Sequence, residues 1–564
     1  WLSAYPPGVP ADVPEPTDPL HVALEQAALV YPNRPALDFF GRRTTYAQLW
    51  DQVLVAAQAL ADRGVGRGSV VALALPNCPQ HVVAFYAVAR LGGIVVEHNP
   101  TYGAAQFAEQ LADCGAGHVI VWDKVAATVA SVVDQGQVDV IAVNMAAAMP
   151  LPQRLALHAP IPKARRLRRE LTGKVGAGIV RWENLMRGQS RLDDAVQGPA
   201  VGDVAALQYT GGTTGTPKGA ILTHANLAVN ATQSVAWVPG LVRGEEVFYG
   251  ALPFFHAFGL TLCLTVPVRV GGLLVIFPKF SVGLVVAAQR RIPGTFFPGV
   301  APMFERLVDA AARSKRTRRA IDLTSFRHSI SGAMAIPQQV AQRWEDATGG
   351  MLIEGYGLTE TSPIAVGNPA SEYRRPGTLG LPFPNTHIRI ADLERPEHDA
   401  TPGESGELWI RGPQVFAGYW NRPEETAQCL TSDGWFRTGD VVVRDPDGLV
   451  RLVDRIKEVI ITGGFNVYPS QVEDRLALMP EIAEVAVVGI PQGDLGERVV
   501  AAVVLRASAK LDLAQARAWC LDHLARYAIP KQLVLMTELP RSQVGKVLRR
   551  VVKHQILAAK AASQ

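Results

Sequence analysis

The chain has 564 residues, of which 48% are hydrophobic and 19% are charged, and its formal net charge is +4. This length exceeds one ordinary domain, and the composition is that of a globular protein with well-filled cores, which excludes extended disorder. A net charge this small gives no dense basic face, so the sequence predicts that the protein has no nucleic-acid partner.

The cysteines and the N-terminus predict a cytoplasmic protein. The five cysteines are odd in number, widely spaced and free of any C-x-x-C pair, which is typical of reduced core thiols and not of a disulfide framework or a metal site. The N-terminus shows no secretory signal, although a trimmed start would hide one. The most apolar stretch, residues 259–277, is broken by Pro267 and Arg269. It predicts a buried strand–turn–strand and not a membrane span, which needs about 20 uninterrupted apolar residues.

Strands and helices alternate along the first part of the chain. Hydrophobic periodicity predicts helices at residues 22–29, 46–60 and 81–91 and a hairpin at residues 36–45. It predicts strands at residues 70–75, 94–96 and 118–121. This alternation favours a mainly parallel β-sheet covered by helices.

The segment between Met149 and Arg181 has a weaker pattern. Four prolines precede a basic run from Lys163 to Lys174. Two interpretations stay open here, a solvated insertion and a contact with an anionic membrane surface.

The composition changes again near residue 445. The sequence Asp445-Pro446-Asp447-Gly448 is a turn signal, and a separate pattern of short strands and helices follows it to the end of the chain. A small C-terminal domain is therefore predicted at residues 456–564.

The stretch from Tyr209 to Ala220 has the chemistry of a polyphosphate site. It follows the apolar run Val204–Leu207, so it is predicted to leave the end of a strand as a loop and to enter another ordered element. Its glycines allow a close backbone approach, its threonines offer hydroxyls and Lys218 adds a positive charge. It is not a Walker P-loop, because its lysine follows Pro217 and no Ser or Thr comes next. If the stretch is taken alone, a Gly/Thr-rich surface turn is the alternative interpretation.

Later segments carry residue types that folding alone does not explain. Glu354–Glu360 combines glycines with an aromatic ring and a carboxylate, and Gly434–Asp440 ends in a carboxylate. Asp454–Glu458 and Thr462–Val467 surround the start of the small domain, and Ser542–Lys546 carries a lysine near the end of the chain.

In this order and spacing, these segments closely resemble the adenylate-forming superfamily of acyl-CoA synthetases, peptide-synthetase adenylation domains and luciferases. The resemblance extends from the N-terminal helices to Lys546. Within the superfamily the chain is most similar to bacterial long-chain fatty-acid CoA ligases, through Trp1-Leu2, Tyr5-Pro6, Asn99–Tyr102 and Leu539–Ser542.

The resemblance implies an α/β fold in two parts. Residues 1–455 would form a large N-terminal body of several subdomains, in which helices cover β-sheets. Residues 456–564 would form a small, mobile α+β domain that turns at a hinge at about Lys457.

The resemblance also implies roles for individual residues. The catalytic residues would be Lys546, Glu360 and His256, with His256 at the mouth of the acyl site. Thr210 and Glu360 would hold Mg²⁺, and Gly463 and Gly464 would line the channel for CoA. The residues implied in nucleotide binding are Thr210, Gly211, Gly212, Thr213, Thr214, Gly215, Thr216, Lys218, Gly332, Ala333, Tyr356, Gly357, Thr359, Asp440 and Arg455.

Within this set, Tyr356 would stack on adenine, with the backbone of Ser331–Ala333 on the opposite side, and Asp440 and Arg455 would take the ribose hydroxyls. Taken without the resemblance, these side chains have plainer interpretations. They would be a helix-capping carboxylate at Glu360, a structural salt bridge between Asp440 and Arg455, a core histidine at His256 and an exposed tail lysine at Lys546.

The implied activity is an AMP-forming acid–thiol ligase that uses ATP, Mg²⁺ and coenzyme A, with a medium- to long-chain fatty acid as the carboxylate. Three alternatives stay open. They are a fatty acyl-AMP ligase that delivers to a carrier protein, a ligase for an aromatic or short carboxylate, and a nucleotide-binding protein without catalysis. The predicted location is cytoplasmic. A peripheral contact with the inner face of a membrane and a dimer also stay open.

Overall fold

The computed structural model describes residues 2–134, 136–176, 178–210, 217–314, 320–462, 465–492, 496–521, 523–542 and 545–562. The strands of this part of the chain are β1 Pro35–Phe39, β2 Arg42–Thr45, β3 Val70–Ala74, β4 Ile94–Glu97, β5 His118–Trp122, β6 Asp139–Val143, β7 Val180–Arg181, β8 Val204–Thr210, β9 Lys218–Thr223, β10 Val247–Gly250, β11 Leu273–Ile276, β12 Phe296–Gly299, β13 His328–Ser331, β14 Met351–Gly357, β15 Ile364–Gly367, β16 Leu381–Pro382, β17 His387–Ala391, β18 Gly406–Arg411, β19 Phe436–Arg444, β20 Val450–Arg455, β21 Ile460–Thr462, β22 Phe465–Val467, β23 Ile482–Pro491, β24 Glu497–Leu505 and β25 Gln532–Leu535.

The helices of the same part are α1 Val22–Val30, α2 Tyr46–Ala61, α3 Pro79–Arg90, α4 Ala104–Cys114, α5 Ala126–Ala130, α6 Leu151–Ala156, α7 Pro162–Leu171, α8 Trp182–Leu185, α9 His224–Trp237, α10 Ala257–Gly259, α11 Val266–Val270, α12 Val282–Gln289, α13 Ala301–Ser314, α14 Gln338–Thr348, α15 Pro423–Cys429, α16 Pro469–Ala477, α17 Leu513–Leu521 and α18 Arg549–Ala562. Short 3-10 turns lie at Leu2–Ala4, Met145–Ala148, Thr359–Thr361 and Ile456–Glu458, and a π-helical segment spans Leu260–Thr265.

The elements predicted before residue 122 are confirmed. Thr45 caps α2 with a capping box that includes Gln48, which explains why the helix starts directly after the β1–β2 hairpin. The helix α3 is buried all round, with Phe85 and Tyr86 inaccessible to solvent. It therefore covers its sheet as the alternating pattern predicts.

The described residues up to Pro382 contain two large sheets. A seven-stranded sheet has the order β7-β6-β5-β3-β4-β8-β9, and a nine-stranded sheet has the order β16-β15-β14-β13-β12-β10-β11-β1-β2. Their central pairs are parallel, and antiparallel pairs such as β8–β9 and β14–β15 occur toward the edges. The predicted α/β class with covered, mainly parallel sheets is thus confirmed.

The chain packs as two compact units. One unit contains Leu2–His387 and Arg411–Gly434, and the other contains Ile388–Ile410 and the chain from Trp435 onward. The second unit contains most of the sheet β17-β18-β19-β20, the β21–β22 hairpin and the sheet β23-β24-β25. A division by packing does not locate a hinge, so the boundary after residue 455 and the hinge at Lys457 stay predictions.

The strand–turn–strand predicted for residues 259–277 is wrong in its first half. The chain there is helical from Ala257 to Val270, and only Leu273–Ile276 forms a strand. Pro267 lies in the first turn of α11, where a proline needs no amide hydrogen. Because residues 260–268 are all buried, their apolar run lacks the polar face that distinguishes a helix from a strand.

The segment with a weak sequence pattern also contains helices. Both α6 and α7 lie within residues 149–181, and each carries a proline at its first or second position. No helix of the described residues is both long and apolar enough to cross a membrane. All five cysteines are free thiols, as predicted.

Candidate functional site

The predicted phosphate loop connects the two strands of a hairpin. Strand β8 pairs with β9 in antiparallel register, which places Thr210 opposite Lys218 and Tyr209 opposite Gly219. The prediction that the loop leaves a strand and enters an ordered element is therefore confirmed. Gly211, Gly212, Thr213, Thr214, Gly215 and Thr216 lie outside the described residues, so their predicted phosphate contacts stay predictions.

Glu360 lies beside this hairpin. It belongs to the 3-10 turn Thr359–Thr361, which packs against β8 and β9. The carboxylate is buried and accepts a hydrogen bond of 2.6 Å from the hydroxyl of Tyr419. The ammonium group of Lys218 lies over the ring of that tyrosine, 4.9 Å from its centroid. Tyr419 thus connects the predicted metal ligand to the lysine at the base of the predicted phosphate loop.

The hydroxyl of Tyr419 is a hydrogen-bond donor at any physiological pH. Burial, followed by the charge and the hydrogen bond of Glu360, raises the pKa of Tyr419 far above its ordinary value. The backbone fixes the same arrangement, because the amide of Phe416 donates to the carbonyl oxygen of Glu360. Sequence reasoning missed Tyr419, since nothing near it in the chain identifies its partner.

A second tyrosine, Tyr209, anchors strand β8 of the hairpin. The hydroxyl of Tyr209 donates to Asp113 over 2.6 Å, and Arg422 binds the other oxygen of that carboxylate over 2.7 Å. The ring of Tyr209 also stacks on His98, with 6.1 Å between the centroids. These contacts fix the strand end from which the phosphate loop departs.

The segments predicted to surround adenine lie at the ends of two neighbouring strands. Strands β13 and β14 are parallel, with Ser331 opposite Glu354, so Gly332 and Tyr356 follow at the same sheet edge. A side chain at position 332 would meet the ring of Phe258 at 2.9 Å, which explains the glycine. Gly357 is equally constrained, because its Cβ would lie 1.8 Å from the carbonyl oxygen of Pro363.

The backbone at Ala333 is unusual. Its φ angle is +65°, in the left-handed region that residues other than glycine rarely adopt. Such conformations are found in turns and are enriched at functional sites. The structure therefore brings Ser331–Ala333 and Tyr356 to one edge of the nine-stranded sheet and keeps the chain there in a tight turn.

The donors predicted for Mg²⁺ fit a weakly chelated ion. No group of three or more His, Cys, Asp or Glu side chains suited to a metal is found among the described residues. Mg²⁺ is commonly held by one or two carboxylates together with waters and substrate phosphates. One buried carboxylate at Glu360 and one hydroxyl at Thr210 match that donor set, in which the nucleotide supplies the other ligands.

His256 directly precedes the helical segment Ala257–Gly259. The ring of Phe258 in this segment lies against Gly332. Nδ1 of His256 accepts a hydrogen bond of 3.4 Å from the amide of Phe258, so the histidine ring caps this helix. Burial lowers the pKa of His256, and the ring is therefore neutral at physiological pH. Its predicted role at the acyl site stays a prediction.

The remaining predicted residues belong to the other unit. Strand β19 pairs with β20 so that Asp440 lies opposite Arg455, and the two form an ion pair of 2.9 Å with Asp440 almost fully buried. The salt bridge given as the plainer interpretation is therefore present. The pair also leaves a buried carboxylate and a guanidinium side by side, which is the donor and acceptor chemistry that two ribose hydroxyls require.

Lys546 belongs to the electrostatic surroundings of this pair. Crowding of its ammonium group by protein atoms lowers the pKa of Lys546, Arg455 lowers it further, and Glu458 and Asp440 raise it. Although the residue as a whole is exposed, its charge is coupled to that of Asp440 and Arg455. Lys457 is exposed in the turn Ile456–Glu458, and Gly463 and Gly464 lie outside the described residues.

Comparisons with known proteins agree with this architecture. The family model for AMP-binding enzymes matches residues 24–420, and the model for the AMP-binding enzyme C-terminal domain matches residues 471–546. A protein of Bacillus subtilis (strain 168) named long-chain-fatty-acid–CoA ligase is 35% identical over 558 residues, which cover 98% of this chain and 97% of that protein. A protein of the same name from Yersinia pestis is 36% identical and covers 98% of both chains.

A solved structure shares the fold over the whole chain. The anthranilate CoA ligase AuaEII in complex with anthranoyl-AMP has a TM-score of 0.81 and 26% identity, and the match covers 98% of this chain and 99% of that one. The predicted superfamily is confirmed, and with it the requirement for ATP, Mg²⁺ and coenzyme A. The chain belongs to the AMP-binding enzyme family and is an AMP-forming acid–thiol ligase.

Proposed function

We propose that this protein activates medium- to long-chain fatty acids as their CoA thioesters. In the first step, the fatty-acid carboxylate attacks the α-phosphate of ATP and gives acyl-AMP and pyrophosphate. In the second step, the thiol of CoA attacks the acyl carbonyl carbon and displaces AMP. The observation that carries this proposal is the identity of 35–36% to proteins named long-chain-fatty-acid–CoA ligase across nearly the full length of the chain.

The first step needs charge stabilisation and not a protein nucleophile. We assign the phosphates to the backbone and hydroxyls of residues 210–216, with Lys218 at their base. Thr210 and Glu360 hold Mg²⁺, which neutralises phosphate charge when it is bound. Tyr356 and the Ser331–Ala333 turn enclose adenine. The buried position of Glu360 and its hydrogen bond from Tyr419 support this assignment.

We assign the remaining roles in the first step to Asp440, Arg455 and Lys546. Asp440 accepts hydrogen bonds from the ribose, Arg455 donates to it, and the ammonium group of Lys546 stabilises the oxygen that becomes negative as the carboxylate attacks. In the second step the small domain turns about Lys457, and Gly463 and Gly464 allow the pantetheine arm to pass. The coupling of Lys546 to Asp440 and Arg455 supports a shared role.

This division of labour predicts separate effects on the two half-reactions. Lys546→Ala removes the cation needed only for acyl-AMP formation, so we expect ATP–pyrophosphate exchange with palmitate to fall at least about 100-fold. Conversion of supplied palmitoyl-AMP and CoA to palmitoyl-CoA is expected to stay within about threefold of wild type. The exposed Arg550, on the neighbouring helix α18, provides the control Arg550→Ala. Equal loss of both half-reactions would contradict the assignment.

The carboxylate is tested by a substrate scan. Initial rates of AMP release with ATP, Mg²⁺ and CoA are measured over short, medium, long and aromatic acids, and we expect the highest kcat/KM between decanoate and oleate. The buried apolar run Ala257–Leu260 beside His256 supports an aliphatic acyl group. Preference for benzoate-like acids would favour the aromatic alternative, which the shared fold with an anthranilate CoA ligase keeps open.

The acceptor is tested by the dependence on CoA. A CoA ligase releases AMP many times faster when CoA is added, whereas a fatty acyl-AMP ligase that serves a carrier protein accumulates acyl-AMP. If no carboxylate supports ATP–pyrophosphate exchange, only a nucleotide-binding function would remain.

We also propose that the protein works in the cytoplasm and touches the inner face of a membrane through the basic run Lys163 to Lys174 and the helices of the segment that contains it, residues 149–181. Four large apolar side chains of this segment are exposed, Leu151 and Leu155 on α6, Ile161, and Leu167 on α7. The exposed basic side chains Arg165, Arg166 and Arg169 accompany them on α7. Exposed apolar side chains beside arginines suit an anionic lipid surface.

Vesicle flotation tests this contact. The triple variant Arg165→Gln/Arg166→Gln/Arg169→Gln is expected to lose most of its binding to vesicles of phosphatidylcholine with phosphatidylglycerol. The separate variant Leu151→Ser/Leu155→Ser is also expected to bind these vesicles more weakly than the wild type. Unchanged flotation of both variants would make the segment a solvated insertion. A dimer is the oligomer to test first, by light scattering of the purified protein.

A further inference from the structure

A cavity of about 170 Å³ lies beside the seven-stranded sheet, lined by residues outside the predicted active site. One wall comes from the carboxyl edge of three neighbouring parallel strands. Asp123 follows β5, Asn144 follows β6 and Arg181 ends β7. Ligands of open α/β sheets characteristically bind at this edge, because loops and helix starts collect there.

The opposite wall comes from the segment of α6 and α7. Arg154, His158 and Arg168 face the cavity from this side. Gly173 closes it, and a side chain there would lie 2.4 Å from the Cα of Lys124. The close approach of Gly173 lets its amide donate to Asp123 over 3.0 Å, so the returning chain is fixed against the end of β5.

The cavity has an excess of positive charge. Three arginines line it, and the nearby carboxyl groups are those of Asp123 and, just outside, Glu183. Burial raises the pKa of Asp123 to about 7, so this carboxyl is only partly ionised at neutral pH. Asp123 already accepts the Gly173 amide, and one oxygen of Glu183 accepts the amide of Asn144.

The guanidinium N–H groups of two of these arginines are available to a ligand. Arg168 donates to Nδ1 of His158 over 3.3 Å, whereas Arg154 and Arg181 form no side-chain hydrogen bond or ion pair in the described part of the chain. A guanidinium group presents a planar fork of donors that matches phosphate oxygens. A cavity of about 150 Å³ holds a benzene-sized molecule, so the space here admits a phosphate group with a small organic substituent.

We propose that this cavity binds a phosphomonoester, with Arg154 and Arg181 as its principal ligands and Arg168 beside them. The phosphate comes either from a soluble metabolite or from a lipid head group. The exposed Leu151, Leu155 and Leu167 belong to the same two helices, which would allow a lipid to present its head group here. The site goes beyond the proposed ligase activity and does not depend on it.

Calorimetric titration of the full-length protein with inorganic phosphate, at constant ionic strength in chloride, tests the site. Arg154→Gln and Arg181→Gln are each expected to weaken phosphate binding about tenfold, the loss expected for one charge-assisted hydrogen bond. Arg187→Gln is the matched control, since this exposed arginine does not line the cavity. Thermal unfolding midpoints identify any variant that fails to fold, and the second arginine then carries the test.

Absence of phosphate binding would overturn the proposal. Equal affinity in the wild type and both variants would also overturn it, because phosphate bound only in the nucleotide site would not depend on Arg154 or Arg181. Two further arms identify the source of the phosphate. Glycerol 3-phosphate that binds more tightly than inorganic phosphate indicates a soluble ligand. Flotation with phosphatidic acid in phosphatidylcholine vesicles, competed by phosphate and weakened by Arg181→Gln, indicates a lipid. Either result supports the site.

Discussion

Among individual residues, Tyr419 has the most specific consequence for activity. Its hydroxyl donates to Glu360 and its ring lies beneath Lys218, so one side chain orients both charges beside the β8–β9 hairpin. Tyr419→Phe keeps the ring and removes only the hydrogen bond. We expect the half-saturating Mg²⁺ concentration to rise and ATP–pyrophosphate exchange to fall about tenfold, the effect of one hydrogen bond to a charged group.

Two controls isolate that effect. Tyr373 is exposed, so Tyr373→Phe is expected to leave both quantities unchanged. Tyr419→Leu also removes the aromatic face beneath Lys218 and is expected to cost more than Tyr419→Phe. An unchanged Mg²⁺ requirement in Tyr419→Phe would show that the hydrogen bond does not orient Glu360.

The lowered pKa of Lys546 predicts a pH effect on the first half-reaction. Because crowding and Arg455 favour the neutral amine, the lysine loses its charge at a lower pH than an isolated lysine, and the exchange rate should fall on the alkaline side below pH 10.5. Lys546→Arg stays charged there. The arginine variant is therefore expected to be slower at pH 8 but to lack the alkaline decline, which a pH–rate profile measures.

Among the elements, helix α18 is tied to the predicted hinge by one residue. Arg549, at its start, donates to Glu473 over 2.8 Å, to Asp454 over 3.1 Å and to Glu458. Asp454 is almost fully buried and also accepts the amide of Ser470 over 2.7 Å. This network connects the strand end that carries Arg455 with the helix that follows Lys546.

Removing this centre is expected to destabilise the C-terminal region. Arg549→Met keeps the length of the side chain but leaves the buried carboxylate of Asp454 without its cation, which costs about 3 kcal/mol. Urea unfolding followed by tryptophan fluorescence measures the loss, and Arg550→Met is the exposed control. We also expect a slower first half-reaction, because Lys546 lies only three residues before Arg549 in the chain. An unchanged unfolding midpoint would refute the structural role.

At the scale of the whole molecule, buried histidines set the acid limit of stability. Burial lowers the pKa of His98 to about 4 and that of His224 to about 4, against 6.5 for an accessible histidine. The unfolded chain therefore binds protons that the folded chain excludes. Stability from these residues is complete above pH 6.5 and is lost as the pH falls from 6.5 toward 4.

At pH 5 the loss amounts to about 2 kcal/mol for each histidine. Urea unfolding at pH 7 and pH 5 measures it. His98→Gln is expected to lower stability at pH 7, since the bond to Gln110 is disturbed, but to reduce the difference between the two pH values by about 2 kcal/mol. If that difference stays the same in the variant, His98 does not contribute to acid sensitivity.

The sequence alone determined most of the elements before residue 122, and it determined the family. Periodicity predicted α2 and β3 to within a few residues, because helix and strand patterns depend on neighbours along the chain. The ordered segments from Tyr209 to Lys546 identified the superfamily, because reaction chemistry restricts their residue types.

Only the tertiary structure decided how these residues are held. Tyr419 and Glu360 are 59 positions apart, and Arg549 and Asp454 are 95 apart, so no local pattern relates them. The helical course of residues 260–270 and the arginine-lined cavity were decided in the same way. Burial and side-chain partners come from segments that approach only after the sheets assemble, and the residues distant in sequence then fix each other's conformation and charge.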